Sequence, residues 1–571
     1  MYIDVVPNRN SPPAVLLRTS QRENGRVVKR TIANLSTLPK EQIEALRLVL
    51  SGETLVPASS IFTIEKSIPC GHVEAVLGTL RHIGLESMIS SVPSRERSLV
   101  VAMIAERILH GKSKLADTVL WHTSTLAEEL EVGDASAEEL YEAMDWLIQR
   151  QSRIEKKLAA KHLHERANVF YDVSSSYYEG RTCPLAHYGH NRDEKEGREI
   201  IVYGMMTDAQ GRPVSVQVYP GNTGDSTTVP DQVAKLRTDF GLERIVLVGD
   251  RGMLTHSQID TIRQLPGVGW LSALRSAEIR QLVESDTLQL SLFDRRNLAE
   301  IQSPDYPGER LIACFNPLLE SERKRKREDL LRATEQRLEA IRKEVKRRTK
   351  TPLSAARIGA KVGAVVNRWK MAKHFVLKME EGRFEWQRNQ PGIDAEAAID
   401  GLYIIRTGEA VETLSSKDAV RQYKNLGRVE EVFRTMKSTD ILVRPIRHRL
   451  EDRVRAHVFL CMLAYYVIWH MKQALAPILY QDETVATERQ IRDPVAKAEP
   501  TPHAKRKKAL RTDAYGTPLR GFAMLLETLK TRCRNHCVTH TIKGNIRTTQ
   551  HTQPDDIQNR AFNLLGLRVA M

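Results

Sequence analysis

Arg244-Ile-Val-Leu-Val-Gly-Asp250 decides the fold. Four consecutive apolar residues between a charge and a glycine read as a short strand buried on both faces, as in parallel sheets. Working upstream, Ala167-Asn-Val-Phe-Tyr-Asp172-Val, Arg198-Glu-Ile-Ile-Val-Tyr-Gly-Met-Met206 and Pro213-Val-Ser-Val-Gln-Val-Tyr219 read as three more strands. The turn Asp208-Ala-Gln-Gly-Arg212 joins the second of these to the third. Helical periodicity covers Thr227 to Phe240 and Thr255 to Gln264, and another strand follows at Val268 to Leu274. The order is βββαβαβ, an α/β class.

Farther out the pattern changes. Residues 1–60 are strand-like and basic, with a hairpin expected around Glu23-Asn-Gly25, and its Arg and Lys are suited to phosphates. Residues 61–165 read as a helical domain, Val73 to Ile89, Arg95 to Leu109, and Glu138 to Leu163, the last behind a capping box at Ser136-Ala-Glu-Glu139 and so basic that it suits either a DNA-binding surface or a solvated face. Residues 166–275 are the first part of the core and 276–414 an insertion. Within the insertion, Ser321 to Lys350 is helical, basic and poor in apolar stripe, while His374–Met379, Phe384–Arg388 and Gly401–Arg406 read as a small β-rich piece. Residues 415–480 complete the core, with a helix capped near Ser415, Ser416 and Asp418, a strand-like Ile441–Pro445 and a buried helix around Val458–Trp469. Residues 481–571 read as a basic linker and tail, and Glu499–Asp513 as exposed.

The 571 residues are too many for one ordinary core. Eighty-six Lys plus Arg against 71 Asp plus Glu give a formal charge of +15, which suits a polyanion, nucleic acid before membrane. The apolar run Val458–Trp469 is too short to cross a bilayer. Six scattered cysteines and no signal peptide point to a reducing cytosol. Cys533, His536, Cys537 and His540 are zinc ligand types, but the spacing is unusual and no second cysteine pair completes the set.

Asp172 stands in mid-strand and Asp250 ends an apolar strand, and burying such carboxylates is costly unless they are paired or hold a cation. Downstream lies Tyr423-Lys-Asn-Leu-Gly-Arg-Val-Glu430-Glu-Val-Phe-Arg-Thr-Met-Lys437, in which Tyr423, Glu430 and Lys437 recur every seven residues on nearly one helical face. Alone, this stretch reads as a surface helix. In a ribonuclease-H-like sheet, however, the first strand lies beside the fourth, which makes Asp172 and Asp250 neighbours, and a helix packed on the sheet can bring in Glu430. Three hard oxygen ligands suit Mg²⁺ or Mn²⁺. Two such ions about 4 Å apart serve in-line displacement at phosphorus.

These residues resemble the DDE transposases of bacterial insertion sequences, in the branch with a Tyr-(2)-Arg-(3)-Glu-(6)-Lys signature. Tyr423, Glu430 and Lys437 match at the expected spacing, and the contexts Phe170-Tyr-Asp172-Val, Val246-Leu-Val-Gly-Asp250-Arg-Gly-Met253 and Tyr219-Pro-Gly-Asn222 add to the likeness. Leu426 stands where the signature has its Arg, with Gly427 beside it. The resemblance implies a ribonuclease-H-like core with a helical N-terminal region and a β-rich, basic insertion before the last catalytic helix. It implies that Asp172, Asp250 and Glu430 hold Mg²⁺ (or Mn²⁺), that water and then a 3′-hydroxyl attack DNA, and that Tyr423 and Lys437 hold phosphates. Arg434 or Arg428 can stand in for the missing Arg, and Glu431 is the rival to Glu430. Expected partners are double-stranded DNA, as terminal inverted repeats and target, and a second copy in a synaptic dimer, in a bacterial cytoplasm. A metal-dependent nuclease of the same fold and a domesticated DNA-binding protein are the alternatives. The intact acids argue against the second, and the long N-terminal region and basic insertion against the first.

Overall fold

A computed structural model describes residues 1–9, 11–53, 62–289, 293, 297–438, 440–496, 499–541 and 544–568. The domain boundary expected at residue 60 falls outside these. The chain divides into two units, one of residues Met1–Ile68 with Arg532–Gln553, the other of Pro69–Thr531 with Pro554–Val569.

In the first unit, β1 (Tyr2–Val6), β2 (Ala14–Glu23) and β3 (Arg26–Asn34) form an antiparallel sheet in that order. The β2–β3 turn is the expected Asn24-Gly25, both at positive φ (46° and 79°), which matches the twist of the flanking strands. Strand β4 (Phe62–Pro69) joins Cys533–Thr541 and Gly544–His551 in a second sheet. Because side chains alternate along a strand, Cys533 and Cys537 point to one face and His536 and His540 to the other. These four therefore do not converge on one ion.

The second unit is built on an eight-stranded sheet. Its strands are β5 (Ala167–Tyr177), β6 (Ile200–Thr207), β7 (Pro213–Tyr219), β8 (Ile245–Val248), β9 (Val268–Ala273), β10 (Leu298–Ile301), β11 (Arg310–Phe315) and, after the hairpin β12 (Phe375–Glu380) and β13 (Arg383–Arg388), β14 (Leu402–Thr407). The order across the sheet is β10-β11-β14-β9-β8-β5-β6-β7. Strands β5, β8 and β9 run parallel, and the other pairs are antiparallel. The run Ile245–Val248 is buried throughout, as its composition requires.

Four expectations are corrected. The insertion is not β-rich, because β10, β11 and β14 add to the edge of the main sheet and leave only the β12–β13 hairpin outside it. Its bulk is helical: Pro317–Arg347 and Ala355–Arg368. The long helix also has an apolar stripe, since Leu331, Leu338, Ile341 and Val345 are buried against Ile358, Val362 and Val366. Second, the helix expected over Glu138–Leu163 is two, Ala137–Ile148 and Gln151–His162. The break lets the first pack on the helices Arg95–Leu109 and Glu451–Ala474 and the second on β7. Its capping box forms, with Ser136 Oγ accepting from the Glu139 N–H at 3.3 Å and the Glu139 carboxylate accepting from the Ser136 N–H at 2.9 Å. Third, Ile441–Pro445 is irregular, interrupted by Leu442 at φ 55°, and only Ile446 bridges to Tyr178. Fourth, the stretch expected to be exposed over Glu499–Asp513 contains a helix, Pro502–Leu510, started by Thr501 with Pro502 behind it. Lys507 from that helix is buried, donating to the carbonyls of Ala476 (2.6 Å) and Gln481 (3.2 Å).

The apolar run at Val458–Trp469 belongs to the longer helix Glu451–Ala474, which by length and composition alone could cross a membrane. Core packing takes up that surface, and 83% of its most apolar window is buried. Cys183, Cys314, Cys461 and Cys537 are free thiols.

Gly221 shows how tightly the loops after β5 and β7 meet. A Cβ there would stand 2.0 Å from the Ile200 carbonyl oxygen and 2.6 Å from that of His187. Gly221→Ala is expected to cost about 3 kcal/mol; an unchanged urea midpoint would show that the loops can part.

Candidate active site

Strand register sets the first two acids side by side. In the parallel pair β5–β8, Phe170 is opposite Val248, so two residues further along each segment Asp172 and Asp250 stand at one level. Asp250 lies just past the end of β8, held by its own turn: its Oδ1 accepts from the N–H groups of Gly252 (3.0 Å) and Met253 (2.8 Å). Asp172 Oδ1 accepts from the Val173 N–H at 2.8 Å. The third acid arrives on the helix Leu426–Lys437, whose Val429, Val432, Phe433 and Met436 are buried against β5 and β6. Phe433 meets the ring of Tyr203 edge-on at 5.7 Å.

Asp172, Asp250 and Glu430 line one cavity of about 450 Å³, together with Tyr423, Leu426 and Gly427. Asp172 is half-buried and the other two acids are exposed. Among the described residues Glu430 has no hydrogen-bonding or ion-pairing partner. Glu431 and Arg428 face away, into a separate cavity of about 1060 Å³ beside Tyr465 and Trp469.

The seven-residue motif is not one continuous helix. Ser416–Lys424 ends at Asn425, and a new helix starts at Leu426. Ser415 caps the first, its Oγ accepting from the Asp418 N–H at 3.2 Å, while Ser416 instead donates to Glu300 at 2.6 Å. Tyr423 still reaches the cavity. Burial, then the charge of Asp250, push its phenol up to about 12, so it stays protonated and able to donate.

Lys437 is outside the lining of that cavity. Its ammonium pairs with Asp193 at 2.9 Å, and the Asp193 side chain is fully buried. Arg444 pairs with the same Asp193 oxygen, and the Tyr177 N–H donates to the other at 3.1 Å. Burial lowers the Lys437 pKa, and Asp193 opposes that. Lys437 is thus already engaged by a carboxylate. Arg434, one turn beyond Glu430, is exposed and has no partner among the described residues. Sequence reasoning missed Asp193 and Arg444 completely. Asp193 sits in the long loop between β5 and β6, where no local signal marks it.

Burial pushes the Asp172 carboxyl up to about 7, with the charges of Asp250 and Glu430 adding and the Val173 N–H opposing. Three carboxylates line one cavity and one of them resists ionisation; their oxygens are donors of the kind a hard divalent cation takes, although in this structure they do not all lie within 4.8 Å of one another.

Comparison with known proteins falls on the same segment. Residues 180–467 match the family model described as Transposase DDE domain. Residues 3–56 match the model described as IS1634 family transposase, N-terminal domain. The first match takes in Asp250, Tyr423, Glu430 and Lys437, and begins just after Asp172. No curated protein matches. Among solved structures, the chain is similar to a piggyBac transposase in a synaptic complex with hairpin DNA, seen by cryo-EM. Identity is 11%, over 70% of this chain and 72% of that one, with a TM-score of 0.32.

Two outcomes follow. A carboxyl titrating near 4 when unfolded and about 7 when folded loses its proton first in the unfolded chain, so stability falls as pH rises between those values. In EDTA, Asp172→Asn should match the parent at pH 4 and exceed it at pH 8 by on the order of 2 kcal/mol, allowing for screening by water in the open cavity. Equal melting temperatures at both pH values would contradict this. Asp193→Ala leaves two cations without their carboxylate and should cost about 3 kcal/mol in denaturant unfolding; a cost under 1 kcal/mol would mean that the cluster is dispensable.

Proposed function

The chain belongs to the DDE transposases of insertion sequences, and on that premise we propose that Asp172, Asp250 and Glu430 are its catalytic acids in a ribonuclease-H-like core. The observation that carries this reading is the convergence of three carboxylates, from two strands and a distant helix, on one cavity. The mixed sheet, with β5 between β6 and β8, supports the reading of the core.

The proposed reaction is cleavage of the phosphodiester at the element's ends, followed by transfer of the freed 3′-hydroxyl into target DNA. Asp172, Asp250 and Glu430 would hold Mg²⁺ or Mn²⁺, which when bound supply activation of the attacking oxygen and charge compensation at the leaving one. The three side chains fix where those oxygens are received, and rigid strand ends keep Asp172 and Asp250 from moving apart. Tyr423, protonated at working pH, donates a hydrogen bond to a phosphate oxygen at the cavity. Arg434 contacts the backbone from the exposed face of the same helix. Lys437, paired with Asp193, holds the helix end in place, and that role replaces direct phosphate contact as the better-supported one. The basic first half of the helix Pro317–Arg347 and the strands of the first unit supply charge for end DNA, and a second copy of the chain completes the synaptic assembly.

The test uses the full chain with a plasmid that carries the gene and its native flanking DNA. Asp172→Asn, Asp250→Asn and Glu430→Gln are each expected to abolish Mg²⁺-dependent cleavage, at least about 1000-fold, while DNA binding persists. Wild-type cleavage rates in any one of them would remove that residue from the site.

A further inference from the structure

Leu426 occupies the place where the resembling branch carries an arginine, and it lines the acid cavity with 9% of its surface exposed. The missing charge would therefore have entered this cavity. Three cations line it: Arg251, Lys424 and Arg323. Lys424 is drawn into the chain, its ammonium donating to the carbonyls of Pro494, Val495 (3.2 Å) and Ala496 (3.1 Å). Arg251 is exposed, directly after Asp250.

Arg323 is different. It comes from the insertion, two turns into the helix Pro317–Arg347, and it is half-buried without a carboxylate partner. Among the described residues its side chain's only hydrogen bonds run from one amino group to the carbonyls of Ile399 and Leu402, both at 3.5 Å, the outer limit of such bonds. The Nε and the second amino group have no partner among the described residues. A guanidinium has five donors, and a half-buried one that uses a single nitrogen is poised for a bidentate acceptor. Arg327, one turn on, shows the alternative: it is engaged with Asp400 through both amino groups.

The start of this helix is also fixed in place. Asn316 Oδ1 accepts from the N–H groups of Leu318 (3.0 Å) and Leu319 (3.2 Å), and the Asn316 N–H donates to the Gly401 carbonyl at 3.0 Å, just before β14. Gly401 has φ 77°, and a Cβ there would stand 2.8 Å from the Asn316 oxygen. Arg323 is thus held by the sheet that carries the acids, not by a loose arm.

We propose that Arg323 binds the phosphodiester presented to Asp172, Asp250 and Glu430, taking the part that Leu426 leaves vacant. This rests on the reading of the cavity as the DNA-cleaving site. Its planar fork matches two phosphate oxygens, which a lysine cannot reproduce. The insertion would then be a wall of the active site as well as a handle for DNA.

The experiment compares wild type, Arg323→Ala, Arg323→Lys, Arg251→Ala and the double variant Arg323→Ala with Leu426→Arg, all as full-length protein on the plasmid with native flanking DNA. Arg323→Ala is expected to cleave about 100-fold more slowly, in the range of losing one preorganised donor, with Arg323→Lys in between and Arg251→Ala much closer to wild type. The double variant should recover at least about tenfold over Arg323→Ala, as expected when a second fork enters the same cavity. The Mn²⁺-induced rise in melting temperature should be the same in Arg323→Ala as in wild type. Cleavage by Arg323→Ala at the wild-type rate, or loss of its Mn²⁺ response, would overturn the assignment. A wild-type protein that cleaves no DNA would overturn the reading of the site and this proposal with it.

Discussion

The parallel pairing of β5 with β8 is the constraint from which the core follows. Its register, Ala167 with Ile245 through Phe170 with Val248, brings two carboxylates to one level at the end of a buried pair of strands. Both strands are apolar up to that point, so the sheet cannot slip by one residue without turning buried side chains outward. The same register that maximises burial therefore forces like charges together. Asp172 bears the consequence, its carboxyl held up to about 7 by burial first and by its neighbours next. A bound cation would relieve that tension by favouring the ionised form.

The third acid needs a different kind of support. A helix on a sheet can slide or rotate, and Glu430 must hold one height above β5. Apolar packing through Val429, Val432, Phe433 and Met436 sets the rotation. The axial position is set at the helix's far end, where Asp193 gathers Lys437, Arg444 and the Tyr177 N–H. Tyr177 ends the strand that carries Asp172, so this buried carboxylate ties the Glu430 helix to the Asp172 strand. The segment beyond is fastened too: Val443 donates to the Met436 carbonyl at 2.8 Å and accepts from His457 at 2.9 Å.

Local signals carried much of this. The strands, the capping box at Ser136 and the Asn24-Gly25 turn all lie in short stretches whose period or composition speaks for itself, whereas Glu430, in a stretch that alone reads as a surface helix, stands out only beside Asp172 and Asp250. What could not be read was long-range. Strand β14 is separated from its neighbour β9 by most of the insertion, and nothing in Leu402–Thr407 says which sheet it will join. The buried pair of Arg406 with Glu309, at 2.5 Å, helps to fix it there. Asp193 was illegible for the same reason: an acid in a polar loop looks solvated until the fold closes two cations over it. Lys507 shows the converse, a basic run that looked like linker until three acceptors were found for one of its ammonium groups.

The break at Asn425 gives the motif its meaning. Had Tyr423 and Glu430 shared one helix, their separation would be fixed by helical rise alone. With two helices meeting at Asn425, the phenol and the acid are positioned independently, one by the Ser415 cap and one by the Asp193 tie. Gly427 fits this arrangement. A glycine inside a helix costs about 1 kcal/mol relative to alanine, and here a Cβ would meet nothing within 4 Å, so packing does not demand the glycine. The room it leaves belongs to the cavity of the acids. On that argument the stability given up at Gly427 is exchanged for space at the mouth of the site, where a nucleic-acid backbone would have to approach the helix closely.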